Sequence, residues 1–385
     1  MPLSTPLALS LFYLASFAVM GAYLPYFNLY LEGIGQSGIQ IGILSALLPF
    51  CGALAPTAGG MLADRLGRRR DLVLLSSFLA LAAFAFLLVT RRFVWIALVV
   101  AVYSIARAQA LPLVEASAME IAEAGGPHYG RMRVWGSIAF IVTSLLTGRM
   151  IGAWGEQLLI AALILLLALN VLAALVLPRD APRNPAPREA GALRRLVKRP
   201  RTAFFLGACL LSQASHGPYY VFYSIHLEKA GYGVPAIGAL WALAVGFEVA
   251  AILKMPALSE RLGTLPTMTT CLLLAALRWG ICAASVAPWA MVLAQALHAA
   301  TYAAFHVAAV AHTHRLFGAD HRASGQAIYS SFTYGAGNVV GMLGSGLLYE
   351  RIGIPSLFMA SSVTALLGAG LLFAASRRME GGRGV

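Results

Sequence analysis

The chain has 385 residues, 59% of them hydrophobic and only 11% charged, with a mean hydropathy of +0.77. Soluble domains carry about 25% charged residues, so the polar surface that would cover a globule in water is missing, and a bilayer is the solvent that fits. The formal net charge is +13, but its placement along the chain points to membrane topology and anionic lipid, not to a nucleic-acid partner.

A spanning helix needs roughly 20 apolar residues to cross about 30 Å of hydrocarbon. In chain order this predicts spans 1 to 6 near 6–32, 37–63, 72–90, 93–121, 132–153 and 157–177. Spans 7 to 12 follow near 202–228, 235–258, 265–286, 288–313, 324–349 and 354–376. The expected fold class is an all-α polytopic membrane protein with twelve transmembrane helices. The first apolar stretch has no basic run before it and no small-residue cleavage site, so it reads as span 1 and not as a cleaved leader. The connections are too short to hold a soluble catalytic domain, so the chain does not read as an enzyme. Cys51, Cys209, Cys271 and Cys282 lie inside spans without disulfide or metal spacing and read as buried small hydrophobes.

The only long polar stretch, 178–201, is rich in Pro, Arg and Ala and reads as a cytoplasmic linker. It divides the chain into a six-helix half over 1–177 and a second over 202–376, with a tail at 377–385. Arg65, Arg68, Arg69, Arg70, Arg131, Arg133, Arg261, Arg315 and Arg322 fall on the same side as the linker and tail cations. Arg91, Arg92, Arg149, Lys229 and Arg351 fall on the other side, and Arg107, Lys254 and Arg278 inside spans. By the positive-inside rule both termini face the cytoplasm, as expected for a multi-pass protein of the inner (cytoplasmic) membrane.

The chain also matches itself at a constant offset of 196: Gly21 with Gly217, Tyr23 with Tyr219, Leu31 and Glu32 with Leu227 and Glu228, Gly35 with Gly231, Gly42 with Gly238. The register ends with Asp64, Arg65, Leu66 and Gly67 on Glu260, Arg261, Leu262 and Gly263. Two copies of six spans insert in the same orientation, so they are parallel repeats, which predicts a substrate site between the halves near the midplane.

After span 2 come Gly60, Leu62, Ala63, Asp64, Arg65, Gly67, Arg68, Arg69 and Arg70. This run resembles the G-x-L-A-D-R-x-G-R-R loop signature of the major facilitator superfamily. A narrower likeness rests on several segments: Tyr129-Gly-Arg131-Met-Arg133-Val-Trp135-Gly136 opening span 5, Tyr26-Phe-Asn28 closing span 1, and His216-Gly-Pro-Tyr219-Tyr220 in span 7. Leu240-Trp241 with Glu248, Arg278-Trp279-Gly280, and Gln295-Ala-Leu-His298 extend it through spans 8 to 10. These are similar to the phenylpropionate permease branch, grouped with nucleoside and lactose proton symporters. The resemblance implies proton-coupled uptake of a small molecule by alternating access, with the proton gradient as energy source and no cofactor. Arg107 departs from the branch, where an apolar or aromatic residue is usual.

An ionisable residue at a helix centre costs roughly 2.5–3.5 kcal/mol on insertion scales and is a functional hypothesis by default. Glu248, Arg278 and His298 form the leading proton-coupling candidates, and lactose permease carries a similar Glu, Arg and His on the same three spans. A structural ion pair between spans 8 and 9 is the alternative. Glu115 is a fourth candidate. It lies eight residues past Arg107, about 12 Å deeper, so Arg107 either grips a substrate carboxylate or pairs with Glu115. His216, Tyr219 and Tyr220 offer a stacking wall for a flat substrate, with Tyr23, Tyr26 and Asn28 as its counterpart and Trp241 and Tyr302 completing the candidate set. Aromatic packing between helices explains the same residues equally well.

Three further expectations complete the reading. Gating contacts should pair Asp64 with Arg322 and Glu260 with Arg131 and Arg133, flanked by Arg65, Arg68 and Arg261. Gly337, Gly341 and Ser345 form a small-residue stripe that allows close packing inside the bundle and says nothing for a dimer, so a monomer is expected. His306, His312 and His314 converge poorly for a metal. The function read from this is import by proton symport of an aromatic or other small organic acid; a proton-driven drug or metabolite exporter and a nucleoside or sugar symporter are the alternatives.

Overall fold

The computed structural model describes residues 4–66, 68–178, 200–318 and 321–380, with side chains throughout these except at 56–66, 252–260, 322–323 and 377–380. Every regular element among the described residues is helical. In hydrocarbon this is required, because each backbone N–H and C=O must find its partner within its own segment.

The first half contains α1 (Thr5–Gly33), α2 (Gly38–Leu66), α3 (Arg69–Ala85), α4 (Phe93–Glu123), α5 (Tyr129–Trp154) and α6 (Leu158–Leu175). The second contains α7 (Pro200–Ala214), α8 (Gly217–Lys229), α9 (Val234–Leu262), α10 (Thr264–Ala284) and α11 (Pro288–His298). A π-helical segment, Ala299–Ala304, joins α11 to α12 (Phe305–Phe317). A second, Ser331–Gly337, joins α13 (Arg322–Ser330) to α14 (Asn338–Glu380).

Nine helical stretches among the described residues are long and apolar enough to cross a bilayer. The last of them, Ser324–Ser376, covers predicted spans 11 and 12, with a sharp bend at Gly353 (φ 73°) where one span ends and the next begins. Span 7 is not the continuous helix that the sequence predicts. It is broken at Ser215 and His216 into α7 and α8, and span 10 is likewise divided by its π segment. These three observations reconcile nine long helices with twelve spans. Leu88, Val94, Leu165, Leu347 and Leu367 stay more than half exposed, as lipid-facing side chains should.

The chain separates into two compact units. One comprises 1–186 with 224–242, the other 187–223 with 243–385, so the boundary passes through α8 and α9. In the first unit Leu9, Phe12, Tyr13, Val73, Val114 and Met132 centre a buried core drawn from α1, α3, α4 and α5.

The internal duplication extends to backbone geometry. At the end of α1, Gly35 N–H bonds to Glu32 O and Gln36 N–H to Leu31 O. At the end of α8, Gly231 N–H bonds to Glu228 O and Tyr232 N–H to Leu227 O. Both are the two-bond Schellman termination, and it requires a left-handed residue, supplied by Gly35 at φ 84° and Gly231 at φ 87°. Close packing is duplicated too. A side chain at Gly21 would strike the Phe140 backbone, and one at its repeat partner Gly217 would strike Gly341. Gly341 in turn lies against Ala214 and Gly337 against Leu210, so the small-residue stripe serves close packing inside its own unit.

Candidate functional site

In the second unit, apolar helices α9, α10 and α11 bring three ionisable side chains together. Arg278 on α10 has no exposed surface. Its Nη1 donates to His298 Nδ1 at 3.0 Å and to Thr301 Oγ1 at 3.2 Å, and its Nη2 reaches Gln295 Oε1 at 3.5 Å. The guanidinium stacks over Tyr219 and Trp279 at 4.4 and 4.3 Å, so aromatic faces provide much of its solvation. On the far side of the imidazole, His298 Nε2 faces Glu248 Oε2 at 3.8 Å.

The hydrogen-bond polarity of this chain is fixed by chemistry. A guanidinium has no acceptor, so Nδ1 must accept. The neutral ring therefore carries its proton on Nε2, aimed at Glu248. His298 links a permanent cation to a titratable carboxylate without holding the second proton itself.

The remaining aromatic candidates of this unit close around that chain. The Tyr219 hydroxyl donates to Gln295 Oε1 at 3.2 Å. His216 lies at the break between α7 and α8, its Nδ1 held 2.8 Å from Ser212 O. Its Nε2 is buried without a hydrogen-bond partner among the described residues. Tyr302 stacks on His298 at 5.3 Å, while Tyr220 lies 6.1 Å from His216. Sequence reasoning had not given Gln295 or Thr301 a role. Both are one helical turn from His298, which is the signal that would have found them.

In the first unit, Arg107 does not pair with Glu115. Eight residues separate their depths along α4, and the guanidinium instead donates to Ser16 O at 3.4 Å and lies 5.8 Å over Phe17. It makes no ion pair among the described residues. Beside it is a cavity of about 30 Å³ lined by Ser16, Ser76, Ser77, Tyr103 and Asn170, room for about one water. Glu115 receives a 3.5 Å hydrogen bond from Tyr129.

Two of the proposed wall residues make packing contacts within the first unit. Tyr23 is buried among Phe27, Phe84 and Tyr103. Tyr26 is 1% exposed and donates to Ser144 O at 2.6 Å. Ser144 Oγ reaches Gly238 O at 3.1 Å, so Tyr26 clamps α5 at the start of α9. Trp241 donates to Ser224 Oγ at 2.9 Å and is 4% exposed. Asn28 accepts from Ser45 Oγ at 3.2 Å.

Of the gating candidates, the side chains of Asp64, Arg65, Glu260 and Arg322, like that of Lys254, lie outside the described residues. Arg68 sits 4.0 Å from Asp71, both exposed. Arg131 and Arg261 are exposed, and Arg133 stacks over Phe17 at 3.8 Å. A cluster that the sequence did not announce lies at the far end of α1: Lys229 Nζ to Glu32 Oε1 at 2.7 Å, beside a Glu156–Glu228 hydrogen bond. Burial raises the Glu156 carboxyl above the ordinary carboxylate range, opposed by the Glu228 bond and assisted by the Glu32 charge.

A model described as "MFS_1 like family" matches residues 7–360. The chain belongs to this family. It is therefore a multi-pass secondary transporter of the major facilitator type, with a small-molecule substrate, and not an enzyme. Among curated relatives it is 29% identical over 367 residues to the "Probable 3-phenylpropionic acid transporter" of Escherichia coli (strain K12), covering 93% of this chain and 94% of that one. It is 26% identical over 385 residues to the maltose permease of Geobacillus stearothermophilus, covering 96% and 94%. The solved structure of nucleoside transporter NupG superposes with a TM-score of 0.86 at 19% identity, covering 97% of this chain and 99% of that one. This last likeness is one of fold.

Proposed function

We propose that the chain is a proton symporter that imports a small aromatic or related organic acid across the inner membrane, as a monomer with both termini in the cytoplasm. The observation that carries the proton-coupling part is the Arg278→His298···Glu248 chain, whose polarity leaves Glu248 as the group able to gain and lose a proton. His298 bridges Arg278 to Glu248 and orients the carboxylate. Arg278 is the fixed cation that favours the carboxylate when the proton has left. For the substrate, support comes from Arg107, a half-buried guanidinium lacking an ion-pair partner among the described residues, whose fork suits a carboxylate. The relative named for 3-phenylpropionic acid points the same way.

The test is solute-driven proton movement in proteoliposomes loaded with a pH dye. Adding 3-phenylpropionate outside should carry protons inward with the solute; movement in the opposite direction would establish an exporter by antiport. Glu248→Gln should abolish accumulation and coupled proton movement while solute exchange continues. Full accumulation by that variant removes Glu248 from the mechanism.

A further inference from the structure

His306 takes no part in the chain described above, yet the fold builds a second polar cluster around it. Tyr334 Oη lies 2.8 Å from His306 Nδ1 and Tyr329 Oη lies 3.2 Å from the same atom. Two hydroxyls from span 11 thus converge on one imidazole nitrogen of span 10. The ring is only half-buried, and its Nε2 makes no hydrogen bond among the described residues.

The two π segments set which faces meet here. In an α-helix, with about 100° per residue, residues eight apart point about 80° away from each other. A π turn absorbs one residue, so across Ala299–Ala304 His298 and His306 come to within about 20° of one helix face. Tyr329 and Tyr334 are five apart and would diverge by about 140° in an α-helix. The turn at Ser331–Gly337 brings both hydroxyls to the same ring. Tyr302 connects the two histidines, stacked on His298 at 5.3 Å and edge-on to Tyr334 at 6.2 Å. π turns concentrate at functional sites, and here one precedes His306 and the other contains Tyr334.

We propose that His306, held by Tyr329 and Tyr334, is a second proton-handling group, receiving the proton that Glu248 releases and passing it on toward the C-terminal end of span 10. This rests on the proton-coupled reading above. The step balances: the Glu248 carboxyl returns to carboxylate and the neutral ring gains a proton at Nδ1. A tyrosine hydroxyl, both donor and acceptor, rotates to accept from the new Nδ1–H. The imidazolium then becomes neutral by giving one proton to water. On its own span, Tyr302 reaches the two tyrosines that hold the ring, and His312 and Arg315 lie farther along. Tyr329 and Tyr334 face it from span 11, Cys209 stands beside Tyr329, and Tyr220 interacts electrostatically with Tyr334. His306 makes no ion pair among the described residues, so a proton gained there is readily lost.

The test compares His306→Gln, Tyr334→Phe and Glu248→Gln in the full chain, in proteoliposomes with 3-phenylpropionate as probe. His306→Gln should keep solute exchange at the wild-type level while net proton-driven uptake falls about tenfold or more. Tyr334→Phe should shift the pH profile of net uptake and leave exchange intact. Wild-type net uptake and an unchanged pH profile in both variants would overturn the inference, as would equal loss of exchange and net uptake. If Glu248→Gln uncouples and His306→Gln does not, only the role of His306 falls. If Glu248→Gln stays coupled, the underlying reading falls as well. A readout independent of solute is ¹⁵N-histidine NMR: the ring signal absent from His306→Gln should titrate between about pH 5 and 8, and a ring that stays neutral throughout refutes the proposal.

Discussion

The polarity of the Arg278–His298–Glu248 chain makes a quantitative prediction about His298. Suppose the coupling proton resided on this ring and not on Glu248. The added charge would be repelled by Arg278 and attracted by Glu248, at 3.0 and 3.8 Å between the nearest atoms. At about 4 Å and an effective dielectric near 20, each effect is worth about 4 kcal/mol, so the two nearly cancel. What remains is the hydrogen bond that Arg278 must withdraw once Nδ1 carries a proton. A bond from a charged donor is worth about 1.5–3 kcal/mol, and that loss selects Glu248 over His298 by a factor of about 10–150. A glutamine at 298 offers the same polarity, an oxygen that accepts and an amide that donates, and it holds no exchangeable charge. His298→Gln is therefore expected to retain coupled proton movement in proteoliposomes, within about tenfold of wild type. His298→Ala leaves both neighbours short of a partner and should lose about 2–4 kcal/mol of stability or transport. If His298→Gln exchanges solute but no longer accumulates it, as expected of Glu248→Gln, then the ring itself titrates and the polarity argument is wrong.

Arg107→Gln should raise the KM for 3-phenylpropionate about tenfold or more with little change in kcat, the loss of one charge-assisted contact; an unchanged KM in uptake assays would place the carboxylate elsewhere. A methyl group at Gly238 would strike the Tyr26 hydroxyl and sit 2.7 Å from Ser144 O. Gly238→Ala should cost about 1–3 kcal/mol and lower the melting temperature in detergent, with Tyr26→Phe recovering part of the loss. Equal melting of wild type and Gly238→Ala would refute the close crossing. Because Glu156 binds its proton more tightly folded than unfolded, it stabilises the fold at low pH and that contribution disappears as pH rises through its folded value. The melting temperature gained by Glu156→Gln should thus be small near about pH 4 and grow toward about pH 8; a gap independent of pH would contradict the shift.

Much of this was legible because the bilayer leaves few options. Apolar runs of fixed length had to be helices, and the offset of 196 had to be a repeated bundle, down to Gly35 and Gly231, where only glycine fits both terminations. Glu248, Arg278 and His298 stood out because charges in such sequence need partners. The break in span 7 was not read from the chain: Pro218 has no N–H to continue the helix from Ala214, but Pro25 and Pro112 lack it too and sit inside unbroken helices. Partner choice was harder to read. Arg107 and Glu115 share a helix, but their separation along the axis exceeds side-chain reach, and nothing in the sequence marks Ser144 O as the acceptor for the Tyr26 hydroxyl. The π segments lay furthest from reach. Ala299–Ala304 and Ser331–Gly337 contain no residue type that demands an i→i+5 bond. The extra residue in each turn is imposed by packing among neighbouring helices, while sequence periodicity records only regular ones. A helical wheel drawn through these stretches turns His306 away from His298 and puts Tyr329 and Tyr334 on diverging faces, so this cluster is one that the sequence hides.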